Sequence, residues 1–294
     1  MLAADTVGST AAIAWWIWPI ALFVTTFALG IVAVLSGVGG GVLFVPIVGG
    51  FFPFHLDFVR GAGLLLALCG ALSAGPSLLR GGLASLRLAM PLALIGSITS
   101  IGGAVLGFAL PSDLVQTALG VTVLAMAALM IWRAAAPEDA AARTSDPLGA
   151  ALGMHGVYHD DASGRDVAWT VRRTPAAMAA FAVIGVLAGM FGLGAGWANV
   201  PVFNLLMGVP LKLSIGTSSF MLSVVDTAAA WIYIHRGAVL PMLVVPSITG
   251  VMLGARVGVR LLRVVPTPVV RGTVIGLLLI AGVRALLQGL GIWN

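Results

Sequence analysis

Charge is what this 294-residue sequence lacks most. Asp, Glu, Lys and Arg make up 9% of it, while 60% is hydrophobic and the mean hydropathy is +1.11. A soluble domain carries roughly 25% charged residues, so a soluble globular fold and a disordered chain are both excluded. Cysteine is nearly absent. The single Cys69 leaves no internal disulfide and no multi-cysteine metal site. Lysine is reduced to Lys212 beside fourteen arginines, and no basic residue precedes Arg60. Residues 1–18 therefore lack the basic n-region of a cleavable export signal, and Trp15, Trp16 and Trp18 read as membrane-interface anchors instead. The pI near 10.6 reflects arginines in loops, the pattern of membrane topology rather than of nucleic-acid binding.

What is there is a series of long apolar runs, at about 14–36, 40–54, 61–79, 88–110, 114–132, 176–191, 196–209, 213–234, 239–262 and 268–290. These predict an all-α polytopic membrane protein. Between 134 and 175 the composition turns polar. This segment reads as a soluble linker between a first transmembrane repeat (1–133) and a second (176–294), dispensable for transport. Within it, His155, His159, Asp160 and Asp161 could suggest a metal site. The alternation of 156–158 and 167–171 about Ser163-Gly164 favours a solvated β-hairpin instead, and no metal is assigned.

The halves match. At an offset of 155, Gly37, Gly39 and Gly41 fall on Gly192, Gly194 and Gly196, and Val45-Pro46 falls on Val200-Pro201. Gly61, Gly82, Pro91, Gly103 and Pro111 find their mates at Gly216, Gly237, Pro246, Gly258 and Pro266. Apolar identities are cheap in such a chain, but matched Gly and Pro fix special backbone positions, so the sequence carries an internal duplication.

Loop charges address the relative orientation of the halves. If 14–36 and 40–54 go in and come back on one face, each half makes three further crossings and the second half is inverted. Arg60, Arg236 and Arg284 then lie on one face and the other twelve basic residues on the opposite one. That bias places the linker in the cytoplasm and both termini in the periplasm. If 14–54 is instead one broken crossing, each half crosses four times, the repeats are parallel and the bias vanishes. Segments 176–191 and 196–209 reach only about 20 Å each at 1.5 Å per residue, short of a ~30 Å hydrocarbon core, which favours re-entrant, Gly-broken helix pairs.

The sharpest motif is the glycine run itself, Gly37, Gly39, Gly40 and Gly41 ended by Pro46, with Gly192, Gly194 and Gly196 ended by Pro201. Such runs break a helix, and each restarted helix presents unpaired N–H groups. Two facing N-termini would form a pocket for a small anion; tight packing through small residues is the alternative. Neither run fits a dinucleotide fingerprint or a P-loop. Asn199, Asn204, Thr217 and Ser218 are candidate neutral ligands, with back-bonding to the preceding turn as the other reading. Asp226, in mid-span, is a candidate proton carrier or else a structural partner of Arg256 or Arg260.

These glycine runs, with Pro46, Pro201 and Gly216-Thr217-Ser218, resemble the TauE/SafE sulfite-exporter family across both halves. The resemblance implies an ion-coupled secondary transporter of sulfite, a sulfonate or a related small anion in the bacterial inner membrane, without a cofactor and working by alternating access. The second run departs from the first at Ala195 and Trp197, which would narrow its pocket. An anion channel built from the same opposed hairpins is the rival reading. A membrane enzyme has no support, since no HExxH, no Gly-x-Ser-x-Gly and no paired intramembrane carboxylates occur.

Overall fold

The structure, a computed structural model, describes residues 17–36, 39–51, 56–134, 145–160, 164–264 and 267–292. Its first half contains α1 (Ile17–Ser36), α2 (Gly41–Phe51), α3 (Leu56–Arg80), α4 (Leu86–Ala109) and α5 (Ser112–Ala134). A small connecting unit follows: α6 (Pro147–Ala151), β1 (His155–Asp160) and β2 (Arg165–Thr170). The second half contains α7 (Thr174–Phe191), α8 (Gly196–Pro201) running into a π-helical turn (Val202–Leu206), then α9 (Leu211–His235), α10 (Pro241–Val264) and α11 (Thr267–Gly289). The architecture is an all-α polytopic membrane fold.

Among the described residues, α1, α3, α4, α7, α9 and α10 are long and apolar enough to cross a bilayer. Helices α5 and α11 carry shorter apolar stretches, Ser112–Ala125 and Leu278–Gly289. Val24, Leu94, Ile98, Trp231, Val245 and Ile280 are exposed on the outer faces, as lipid-facing side chains would be.

The offset found in the sequence recurs in the element boundaries. Helices α3, α4 and α5 reappear residue for residue, 155 positions on, as α9, α10 and α11. The segment 41–51 reappears as 196–206, helical in the first half and α-then-π in the second. Proline has no N–H to give, so Pro201 leaves the ladder open and the π turn follows it, with Met207 N–H reaching the Val202 carbonyl. The turn glycines match too: Gly82 and Gly237 have φ of 70° and 69°, a left-handed conformation that a side chain disfavours.

Close contacts at glycines give the helix directions. Gly30 meets Val251, Gly254 meets Phe27 and Ile31, and Gly258 meets Ile31 and Val34, so α1 and α10 run parallel. Gly185 meets Gly96 and Gly189 meets Ser100 and Ala104, so α7 and α4 run parallel in the mirrored pairing. Small residues at such seams let membrane helices approach closely. Duplicate partners instead pack antiparallel. In α3 and α9, Gly61 meets Ala238 while Gly216 meets Leu83; in α5 and α11, Gly120 meets Leu286, Gly282 meets Leu124 and Gly289 meets Thr117. Gly70 on Val251 and the Ser73 hydroxyl donating to the Met252 carbonyl set α3 parallel to α10. Hence α1, α3 and α10 run one way and α4, α7 and α9 the other.

The hairpin is present, in antiparallel register from His155 opposite Thr170 to Asp160 opposite Arg165, while residues 161–163 of its turn lie outside the described residues. His159 Nδ1 pairs with Asp166 Oδ1 at 2.8 Å on its exposed face. The linker is not the free solvated tether that its composition suggests. Met154, Tyr158, Trp169 and Val171 are buried in the same core as the transmembrane helices. Asp146 holds the start of α7, accepting from the Thr174 hydroxyl at 2.8 Å and the Thr174 N–H at 3.3 Å. Arg172 N–H donates to the Met207 carbonyl, tying the linker to the end of the π turn.

Candidate functional site

The two glycine breaks meet at mid-height. Ala67 and its repeat mate Leu222 stand near the centres of α3 and α9; both breaks close on Ala67, and the first also on Leu222. A Cβ on Gly39 (φ 87°) would lie 3.0 Å from Leu222 Cδ1 and 3.8 Å from Ala67 Cβ; one on Gly194 (φ 77°) would lie 3.2 Å from Ala67 Cβ. The breaks also touch each other. A Cβ on Gly41 would lie 2.7 Å from the Leu193 carbonyl, and α3 joins the contact, since one on its Gly63 would lie 3.2 Å from the Gly192 carbonyl. Gly37 lies outside the described residues. Gly40 and Gly41 are buried, with Gly40 against Val251. Gly192 caps α7 in the left-handed conformation, and Gly196 begins α8. Pro46 sits within α2, as Pro201 ends α8.

Among the described residues, buried polar side chains without hydrogen-bond partners gather at the second break. Asp226 is fully buried, and its carboxylate lies 2.7 Å from where a Gly194 Cβ would be, with the Ala195 amide beside it. Neither carboxylate oxygen has a partner of hydrogen-bond geometry among the described residues. Arg256 and Arg260, considered from sequence as its partners, are exposed on α10. Asn199 is also fully buried, in the first turns of α8, and neither its Oδ1 nor its Nδ2 is bonded among the described residues. A buried polar group left unbonded costs roughly 1–3 kcal/mol, so two at one bend are expensive unless they serve a solute or a proton. At the first break the equivalent positions are Ala71 and Phe44.

Other sequence candidates lie apart from the bend. The Thr217 hydroxyl accepts from Ser85 N–H at 3.2 Å and so helps fix the start of α4. It stands nine residues before Asp226, about 14 Å of helix rise. Ser218 is buried in the same turn. Asn204 donates to the Val209 carbonyl at 2.9 Å and closes the loop after the π turn.

One residue that the sequence placed among loop charges belongs here. Arg60 is 4% exposed, and its Cβ and carbonyl press on Gly192. The signal available was a lone arginine one helical turn into an apolar run, three residues after Asp57. That the fold would bury it against the second break was not legible.

A cavity of about 10 Å³ lies at the first break, lined by Gly39, Gly40, Gly70, Ala67, Ser219 and Leu222 among others. That is the room one water needs.

No curated protein and no solved structure matches the chain. The family model described as Sulfite exporter TauE/SafE matches residues 22–285, nearly its whole length. A chain of membrane-spanning helices closing two matched glycine breaks on one another thus belongs to the TauE/SafE sulfite exporter family of membrane transporters.

Proposed function

We propose that this protein carries a small sulfur oxyanion, sulfite or an organosulfonate, by alternating access between two inverted halves. The observation that carries the reading is the contact of the two breaks at mid-height, with Asp226 and Asn199 buried and unbonded at the second. Antiparallel packing of α3 on α9 and of α5 on α11 supports inversion, because a two-fold axis along the membrane normal would make such mates parallel. The shared direction of α1 and α3 supports a re-entrant α1–α2 pair, since α2 must then return toward the side where α1 began. With these directions Arg60, Arg236 and Arg284 share one face, and the positive-inside bias supports reading it as periplasmic and the linker as cytoplasmic.

In this mechanism Gly194, Gly196 and the Ala195 amide supply main-chain donors to the anion, joined by Asn199 Nδ2. Gly39, Gly40 and Gly41 form the opposing wall. Asp226 takes up a proton as the anion arrives, so that two negative charges never share the bend. Thr217, Ser218 and Asn204 hold the helices that frame it. Gly192 lets the bend hinge relative to α7.

The test is counterflow of labelled sulfite in proteoliposomes of the full chain. Saturable accumulation against internal unlabelled sulfite is expected. Unsaturating, voltage-following flux would overturn alternating access in favour of an anion channel.

A further inference from the structure

Resting on the carrier reading above, we infer that Arg60 is the cationic anchor that receives the oxyanion on the α3-start side of the second break and discriminates oxyanions from halides. Its guanidinium is buried where a charge is costly unless paired. The pairing it has is incomplete. Nη1 stands 3.6 Å from Asp57 Oδ1, one turn earlier on α3, and that carboxylate is 41% exposed. At that separation the contact is an ion pair without a hydrogen bond. Nη2 is buried and has no hydrogen-bond partner among the described residues.

Arg60 flanks Gly192, at the end of α7, with its Cβ and carbonyl. Tyr233 donates its hydroxyl to the Gly189 carbonyl at 2.9 Å in the last turn of the same helix. Its ring packs on Gly61 and against Phe108, closing the apolar wall around the arginine. Arg60 thus packs its Cβ and carbonyl on Gly192, two residues before Gly194, on which the Asp226 carboxylate closes.

The duplication supplies an internal control. Arg60 corresponds to Ile215, which is fully buried, and Asp57 corresponds to Lys212. The fold therefore accepts an aliphatic side chain at this position, and packing alone does not call for a guanidinium. A planar guanidinium with a spare N–H edge suits a solute presenting two or more oxygens, which it grips through parallel hydrogen bonds; a halide offers no such geometry. On arrival the anion displaces Asp57 as the counter-charge.

Sulfite binding to the full chain in nanodiscs, measured anaerobically by calorimetry with chloride as competitor, tests this. Arg60→Gln is expected to weaken sulfite at least tenfold, to leave or raise the thermal transition, and to abolish the preference for sulfite over chloride. Arg60→Lys should restore part of the affinity without restoring the preference. Asp57→Asn should tighten sulfite several-fold, and it keeps the test decisive if Arg60→Gln fails to fold. Affinity within twofold of wild type in Arg60→Gln, or unchanged or weaker binding in Asp57→Asn, would overturn the assignment while leaving the carrier reading intact. Absence of sulfite binding by the wild type would overturn both.

Discussion

Alanine at three glycines of like backbone conformation separates the cost of φ from the cost of contact. Gly82, Gly39 and Gly194 have φ of 70°, 87° and 77°. A side chain in this left-handed region costs roughly 1–2 kcal/mol in each case. Around Gly82 a Cβ would meet nothing within 4 Å, so Gly82→Ala should lose only that amount and transport normally. At Gly39 the Cβ would come to 3.0 Å from the tip of Leu222, a flexible side chain that can give way, so the added loss is small. At Gly194 it would lie 2.7 Å from Asp226 Oδ2 and 3.2 Å from Ala67 Cβ, neither free to retreat. Overpacking of this kind adds about 1–3 kcal/mol, for a total of roughly 2–5 kcal/mol. Apparent melting temperatures of purified protein should therefore fall in the order wild type, Gly82→Ala, Gly39→Ala, Gly194→Ala. Transport should survive the first substitution and be lost in the last. Adding Asp226→Ala to Gly194→Ala removes the clash and should recover stability without recovering transport. If Gly194→Ala melted with Gly82→Ala and transported normally, the close approach of Asp226 to the second break would be refuted.

Other consequences are independent of that series. Asp226→Asn should make sulfite flux insensitive to an imposed pH gradient and should raise the melting temperature, since an unbonded buried carboxylate is removed; an unchanged pH response would remove Asp226 from coupling. Cysteines placed at Gly81 and Arg236, equivalent turns of the two halves, in a Cys69→Ala background should react with an impermeant maleimide from opposite sides of the membrane; labelling from one side would contradict inversion. Asp146→Ala should destabilise the protein by about 1 kcal/mol, because both of its bonds to Thr174 are lost. Melting unchanged in Asp146→Ala would show that the linker is not fastened there.

The duplication was legible because its markers are residues with fixed backbone duties: Gly39 and Gly194, Gly82 and Gly237 share left-handed φ values across the repeat. The hairpin was legible from its alternation about Ser163-Gly164. Its docking was not, because Met154, Tyr158 and Trp169 look like ordinary scattered apolar residues until the core they join is built. Asn199 and Asp226 stood out as polar residues in apolar runs, and both are buried at the second break with no partner of good hydrogen-bond geometry among the described residues. Thr217 stood out equally but spends its hydroxyl on Ser85, a contact across 132 residues that no local pattern encodes. Arg60 was misread as loop charge for the same reason, since it is buried against Gly192 from the other half.

The account stands most directly on where the solute sits. A cryo-EM map of the full chain with sulfite should show density between Gly39–Gly41 and Gly192–Gly196, within reach of Asn199 and Arg60 and with the two breaks farther apart than in the closed arrangement. Sulfite bound elsewhere, with the breaks still sealed on Ala67 and Leu222, would contradict it.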